Sequence, residues 1–222
     1  MGDVDLAVLS SDLGRALWET FQMSALSLLS ALVLGLPLGF LVHLTRGGAL
    51  LRNRVLHALG GVAVNFVRSL PYVILLILTL PLSTLLTGHT TGPISASVSL
   101  SIACIAFYAR LVDLSLSEVD KGVLEAARST GASHWLVVRE VLLPEALPGL
   151  VRGFTVTAVS LVGYSAMAGV VGGGGVGFLA INYGYYRYET GVMLATVAVL
   201  VVIVQGIQTL GDRGAERIDK SR

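Results

Sequence analysis

The sequence predicts an all-α integral membrane protein with five transmembrane helices, an N-terminus outside the cell and a C-terminus in the cytoplasm. Three observations support this fold class: a low content of charge, long stretches without any charge, and an uneven distribution of lysine and arginine. Only 13% of the 222 residues are charged, whereas soluble domains contain about 25%. A chain of this composition has too few polar groups to cover a water-soluble globule.

Four long stretches contain no Asp, Glu, Lys or Arg: residues 20–45, 69–109, 153–186 and 190–211. A helix that crosses a bilayer needs about 20 apolar residues. The second stretch is about twice that length, and turn-forming residues between Thr87 and Pro93 divide it. The predicted transmembrane spans are therefore about 20–44, 62–86, 92–112, 148–171 and 190–211.

The N-terminal residues 1–19 are predicted to form an amphipathic lead-in to the first span. They are acidic, with Arg15 as their only basic residue, whereas a cleavable signal peptide begins with basic residues. Their leucines recur at helical spacing: Leu6, Leu9, Leu13 and Leu17. Residues 20–211 then make up the transmembrane domain, and residues 212–222 form a cytoplasmic tail.

Lysine and arginine indicate the orientation of the spans. They gather after the first span, in the loop 113–147 between the third and fourth spans, and in the tail. The other side of the membrane carries only Arg15 and Arg187. Because basic loops stay in the cytoplasm, the sequence predicts an outer N-terminus and an inner C-terminus. An odd number of spans also places the two termini on opposite sides of the membrane.

The loop 113–147 is predicted to contain two short helices. Asp120 is a suitable N-cap for a helix over 121–130, and Gly131 suits the left-handed conformation that ends a helix. Ser133 is a suitable N-cap for a second helix over 134–143, which Pro144 is expected to stop. Trp135 makes this second helix partly apolar. It must therefore pack either against the ends of the chain's own spans or against another protein.

The spacing within this loop resembles the EAA motif of ABC importer permeases. Glu125-Ala126-Ala127 is followed after three residues by Gly131, and after nine more by Val141-Leu142-Leu143-Pro144. In that family the loop forms coupling helices that dock into a groove on a separate ATPase subunit. The resemblance implies the following coupling residues: Glu125, Ala126, Ala127, Gly131, Ser133, Trp135, Leu143 and Pro144.

Further stretches are similar to the permeases of methionine-uptake ABC importers, a resemblance that covers nearly all of residues 15–213. They are Asn65-Phe66-Val67-Arg68-Ser69-Leu70-Pro71, the run 161–177 with its four consecutive glycines, the tyrosine-rich run 183–188, and 142–150. The resemblance implies a homodimer in the cytoplasmic membrane. It also implies two ATPase subunits that use ATP and magnesium, and an extracytoplasmic binding protein that delivers methionine, D-methionine or a related compound.

The chain itself is not expected to be an enzyme or to bind a cofactor, a metal or nucleic acid. A phosphate-binding loop requires Gly-Lys-Ser/Thr, but the only lysines are Lys121 and Lys220, and each follows an aspartate. The four histidines are scattered, and Cys104 is the only cysteine, which excludes an internal disulfide. The net charge of +1 provides no basic surface for nucleic acid.

The fourth span carries the most polar helix face of any span. Its members are spaced three and four residues apart, which places them on one side of a helix: Thr157, Ser160, Tyr164 and Met167. One hypothesis is that this stripe lines the substrate pathway. The alternative is that its hydroxyls bond back to their own helix and that the stripe serves packing.

Arg68 and Pro71 lie at the start of the second predicted span. Arg68 either extends to the cytoplasmic interface of the membrane or forms an ion pair that holds an inner gate. The sequence leaves two functional alternatives: an ABC permease for another small amino acid or organic solute, and a self-contained secondary transporter. The absence of an intramembrane carboxylate and of internal repeats disfavours the transporter.

Overall fold

The computed structural model describes residues 6–46 and 53–219, and this part of the chain is helical without β-strands. The predicted lead-in residues 1–5 and the tail residues 220–222 lie outside it. The α-helices are α1 Leu6–Ser30, α2 Leu36–Leu44, α3 Arg54–Ser69, α4 Tyr72–Thr87, α5 Pro93–Ser117, α6 Lys121–Ser129, α7 His134–Val137, α8 Leu143–Ala168, α9 Gly175–Leu179 and α10 Thr190–Ile218. Short π-helical segments at Ala31–Gly35, Val138–Leu142 and Ala180–Tyr186 and a 3₁₀ turn at Gly169–Val171 connect several of them.

The predicted all-helical membrane fold is confirmed by the number of long apolar helices. Together, α3 and α4 qualify as one further span, although they are bent by 111°. The described residues therefore provide four long spans, or five with the bent pair. The four stretches that are long and apolar enough to cross a membrane are Ser11–Leu44, Pro93–Ser117, His134–Val171 and Thr190–Ile218.

The bend between α3 and α4 corrects the predicted second span, 62–86. This range is not one helix, because α3 ends at Ser69 and α4 begins at Tyr72. Pro71 stands before α4 with φ −55° and ψ 136°, outside the helical region. Proline has no backbone N–H and disfavours the helical conformation of the residue before it. The chain consequently turns at Leu70-Pro71 instead of continuing.

A second correction concerns Pro144, which does not stop the helix that begins at His134. The helical stretch continues through Pro144 as far as Val171. The backbone N–H of Leu143 donates to the carbonyl of Val138, five residues earlier. This wider, π-helical pairing directly precedes the proline, where an α-helix would be disrupted by the missing donor and the ring.

Two further helices extend beyond the boundaries that the sequence predicts for their spans. Helix α5 extends to Ser117, beyond the predicted end of the third span at 112. Helix α1 begins at Leu6, so no break separates the lead-in from the first span. Each helix includes charged residues beyond its uncharged part, because helical hydrogen bonding continues past the residues that a bilayer would bury.

The described residues form two compact units. The first contains residues up to Ser30 together with Leu70–Cys104 and Ala158–Ile207. In it, Gly177 of α9 lies against the backbone of Ala166 in α8, where a Cβ atom would collide. A small apolar core lies next to this contact and joins α1, α9 and α10. Its buried members are Ala16, Val176, Leu179 and Val192.

The second unit contains residues of Ala31–Ser69, Ile105–Thr157 and the chain from Gln208 onward. Gly39 of α2 lies against Val112 and the Ala109 carbonyl of α5, again too close for a side chain at that position. The loop that carries the coupling motif belongs to this unit. Close packing of α2 on α5 therefore supports the helix end from which that loop departs.

Candidate functional site

The caps of the predicted coupling loop are confirmed by its hydrogen bonds. The Asp120 carboxylate accepts the backbone N–H groups of Gly122 and Val123 at 2.7 and 3.2 Å. The Ser133 hydroxyl accepts the N–H of Leu136 at 3.3 Å. These bonds satisfy backbone donors that have no partner inside a helix. The loop is therefore an ordered pair of capped helices.

Gly131 adopts the left-handed conformation that the sequence predicts, with φ +78°. Its N–H donates to the carbonyl of Arg128 at 3.0 Å, which closes the end of α6. Apart from its chain neighbours, no described residue has an atom within 4 Å of the position that a Cβ would take. The requirement for glycine is therefore conformational and not steric.

Most coupling residues lie on the surface of the chain. Glu125 and Ala126 are exposed, whereas Ala127 is half-buried. Trp135 exposes 71% of its surface and Leu136 exposes 48%. By contrast, Val137, which the motif does not include, is buried. The second helix thus packs on its own chain through Val137 and leaves its tryptophan uncovered.

Leu143 and Pro144 lie at the start of α8, the helix that contains the predicted fourth span. Leu143 is half-buried and Pro144 is exposed. The stretch from His134 to Val171 is continuously helical, with the π-helical segment Val138–Leu142 between α7 and α8. The second helix of the predicted coupling loop therefore joins a span without an intervening non-helical linker.

The base of the loop is held by a polar cluster that the sequence pattern did not predict. Asp113 of α5 is buried, and its carboxylate accepts the Arg110 guanidinium at 3.0 Å. The His43 ring nitrogen Nδ1 lies 3.3 Å from the other carboxylate oxygen. It also lies 3.4 Å from the Ser117 hydroxyl. In the sequence, His43 and Asp113 are isolated polar residues near the ends of two predicted spans. No local pattern indicates that they form a pair.

The residues of the predicted pathway stripe on α8 differ in how deeply they are buried. Thr157 is completely buried, and its hydroxyl donates to the carbonyl of Gly153 at 2.8 Å. For this residue the structure agrees with the packing alternative. Ser160 and Tyr164 are half-buried, whereas Met167 exposes 45% of its surface. Gly163, which was not predicted, is exposed on the same side as Met167.

Tyr164 is held in place by stacking within the first unit. The centroid of its ring lies 5.0 Å from the ring centroid of Tyr72, and the two ring planes differ by 20°. The Tyr72 hydroxyl is in turn 3.3 Å from the Ser99 hydroxyl. Since Tyr72 is the first residue of α4, this contact joins the start of α4 to α5 and α8. The tyrosine predicted to line a pathway therefore also has a structural role.

Arg68 and Pro71 lie on either side of the bend between α3 and α4. Arg68 is in the last turn of α3 and its side chain is exposed. Among the described residues, no ion pair includes it. Pro71 is also exposed. A gating ion pair for Arg68 is thus not formed inside the described chain, and its role stays a prediction.

Polar contacts also attach α1 to the glycine-rich segment after α8. The Glu19 carboxylate accepts the N–H of Gly175, and the Thr20 hydroxyl accepts the N–H of Val176, both at 2.9 Å. Seven residues before Glu19, the Asp12 carboxylate accepts the Tyr183 hydroxyl at 3.0 Å. This hydrogen bond and the negative charge of Asp12 raise the pKa of Tyr183. The phenol therefore remains a neutral donor at physiological pH.

A family model described as "Binding-protein-dependent transport system inner membrane component" matches residues 31–220. The chain is 45% identical over 212 residues to the probable D-methionine transport system permease protein MetI of Vibrio cholerae, covering 95% of this chain and 94% of that protein. It is 42% identical to the methionine import system permease protein MetP of Bacillus subtilis, covering 95% of each chain.

Solved structures give the same result for the fold. A chain from inward-facing conformations of the MetNI methionine ABC transporter superposes with a TM-score of 0.93 and 40% identity, covering 99% of this chain and 100% of that one. A chain from the crystal structure of an amino acid ABC transporter with histidines has a TM-score of 0.81 at 18% identity, covering 98% of this chain and 99% of that one, which supports the fold alone. The chain belongs to the family of binding-protein-dependent transport system inner membrane components.

Proposed function

We propose that this chain is the permease subunit of an ATP-driven importer that moves methionine, including D-methionine and related derivatives, across the cytoplasmic membrane. The observation that carries this proposal is the ordered loop with Glu125 and Gly131 in the importer pattern, which leaves Trp135 exposed. The substrate class rests on the relatives, which are named for methionine and match nearly the full length of the chain.

The exposed apolar residues of the loop support docking of an ATPase subunit. Val123, Trp135 and Leu136 expose 43%, 71% and 48% of their surfaces. Apolar residues grouped on a polar loop mark interaction sites, and tryptophan is among the residues that contribute most to protein interfaces. ATP and magnesium would be used by that partner, so this chain transports and does not itself hydrolyse ATP.

A second copy of the chain and surrounding lipid are the proposed neighbours of α3. Four residues at helical spacing form an apolar face on its outward side, whereas the opposite face carries His57, which contacts the Val42 carbonyl of α2 at 2.9 Å. An exposed apolar face of this kind suits contact with lipid or with a second protomer. The exposed residues are Val55, Leu59, Val62 and Phe66.

Charge distribution supports the proposed orientation, with the coupling loop and C-terminus in the cytoplasm. The segment between α9 and α10, which includes Tyr188, then lies outside, together with the N-terminus. A binding protein would deliver substrate on that side. Within α8 we assign the pathway to the uncovered side that includes Ser160, Gly163 and Met167, and we leave Thr157 out because it is buried.

The proposal is tested by reconstituting the chain with its ATPase and binding protein in proteoliposomes and measuring uptake of radiolabelled methionine. Uptake should require ATP and should be reduced by unlabelled L- and D-methionine. Trp135→Ala should weaken ATPase binding at least about 30-fold, as expected for about 2 kcal/mol at a central interface residue. Trp18→Ala is the matched control, since Trp18 of α1 is 59% exposed but lies far from the loop in sequence.

Several outcomes would contradict the proposal. ATP-independent uptake, or purification without any associated ATPase, would favour a self-contained transporter. If other small solutes reduced uptake and methionine did not, the chain would still be an importer permease, but for a different substrate. Equal loss of ATPase binding in Trp18→Ala and Trp135→Ala would show that the loop has no special part in docking.

A further inference from the structure

A cavity of about 380 Å³ lies in the first unit beside the N-terminal part of α1. Asp12, Arg15 and Glu19 line it from α1, and Tyr183 and the glycine-rich segment line it from the other side. Sites for small molecules commonly have volumes of about 300–1,000 Å³ and combine apolar walls with a few convergent polar groups. The cavity is therefore large enough for a single amino acid.

The charged groups of the cavity differ in how much of their bonding capacity is already used. Each oxygen of Glu19 already accepts one hydrogen bond, Oε1 from the Arg15 Nε and Oε2 from the N–H of Gly175, both at 2.9 Å. Arg15 uses only Nε in this pair, so its two terminal nitrogens can donate elsewhere. Asp12 accepts the Tyr183 hydroxyl on Oδ2, which leaves Oδ1 for another donor.

The spacing of Asp12 and Arg15 suits a ligand with one charge of each sign. Residues three apart on a helix are neighbours, with Cβ atoms about 5–6 Å apart. Arg15 forms its ion pair with Glu19, its side chain is 82% exposed, and among the described residues no ion pair joins it to Asp12. Arg15, which can bind a carboxylate, and Asp12, which can bind an ammonium group, therefore lie side by side on the helix.

The rest of the wall is formed by glycines, by Ala16, Pro93, Phe178 and Leu179, and by Thr91. Phe178 is 39% exposed, whereas Leu179 and Ala16 are buried. An apolar side chain that covers Phe178 would remove apolar surface from water, which contributes about 25 cal/mol per Å². A charged side chain would find no ion-pair partner on this wall, where Thr91 provides a hydroxyl.

We propose that this cavity binds a zwitterionic amino acid with an apolar side chain, with its ammonium group on Asp12, its carboxylate on Arg15 and its side chain against Phe178. The inference deepens the proposed function and rests on it for the substrate and for the outer location. The cavity would be an entry site on the side from which substrate arrives, distinct from the α8 pathway residues.

The test uses the permease–ATPase complex in lipid nanodiscs without the binding protein. Three ligands are titrated: L-methionine, the acid that lacks its ammonium group, and the amine that lacks its carboxylate. Asp12→Asn should weaken binding of methionine and of the amine at least about 10-fold and leave the acid unchanged. Arg15→Gln should weaken methionine and the acid by a similar factor and leave the amine unchanged.

Arg213→Gln is the matched control, because this exposed arginine lies near the end of α10 and outside the cavity. The Arg213→Gln variant should bind all three ligands as the wild type does.

The proposal fails if the wild-type complex shows no saturable binding of methionine or of another apolar amino acid. It also fails if each cavity variant loses all three ligands equally, which would indicate a structural effect. If the full system takes up methionine although the complex without the binding protein does not bind it, the cavity site is overturned and the proposed importer function stands. Binding of another apolar amino acid that depends on Asp12, without methionine uptake, would overturn only the proposed substrate.

Discussion

The Nδ1 atom of His43 lies 3.3 Å from the Oδ1 atom of Asp113, and this contact joins α2 to α5 across 70 residues of sequence. Arg110 donates to the other carboxylate oxygen at 3.0 Å, and the Asp113 side chain is only 7% exposed. Four residues after Asp113, α5 ends at Ser117, and the coupling loop follows. The buried carboxylate therefore fixes the helix end from which the coupling helices depart.

Replacing this carboxylate should lower stability and impair coupling. Asp113→Asn keeps the shape but removes the charge that pairs with His43 and Arg110, at an expected cost of roughly 1–3 kcal/mol. Thermal unfolding of the purified complex and uptake per ATP hydrolysed are the measurements. Arg139→Gln is the control, because its ion pair with Glu140 is exposed on both sides and should contribute less than about 1 kcal/mol. Equal stability of Asp113→Asn and wild type would show that the cluster is not structural.

Gly131 tests whether the geometry of the loop matters for coupling. Gly131→Val must adopt φ near +78° with a β-branched side chain, which costs at least about 1–2 kcal/mol and misdirects the second coupling helix. We expect insertion and dimerisation to persist, with ATPase binding lost or ATP hydrolysis no longer tied to uptake. Gly131→Asn should retain more coupling, since asparagine tolerates the left-handed region. Wild-type transport per ATP in the valine variant would reduce the loop to a connector.

Two substitutions on α8 separate the pathway from packing. Met167→Trp adds bulk on the uncovered side of the helix, so it should block uptake while assembly and ATPase binding remain. Thr157→Val removes a hydroxyl that bonds only to its own helix, and uptake should stay near the wild-type level. Transport assays with a co-purification control for each variant distinguish the two. Normal uptake by an assembled Met167→Trp protein would move the pathway to another helix.

The orientation is tested by cysteine labelling in a Cys104→Ser background, because Cys104 is buried. Tyr186→Cys, in the exposed segment before α10, should react with a membrane-impermeant reagent in intact cells. Lys121→Cys, in the coupling loop, should react only after the membrane is opened. Both positions are exposed in the chain, so their difference reports sidedness. The reverse pattern would contradict the five-span orientation.

The sequence by itself determined the membrane class, the coupling motif and the caps at Asp120, Gly131 and Ser133. These features are local. Uncharged length decides whether a helix can enter a bilayer, an N-cap requires only a suitable side chain within three residues of the donor it satisfies, and Gly131 needs only the freedom to adopt a positive φ. The tertiary structure decided the 111° bend at Pro71 and the continuation of the helix through Pro144. It also decided the burial of Thr157 and the pairing of His43 with Asp113. Each of these depends on which backbones approach one another, and residues 70 positions apart meet only because close helix packing brings them together.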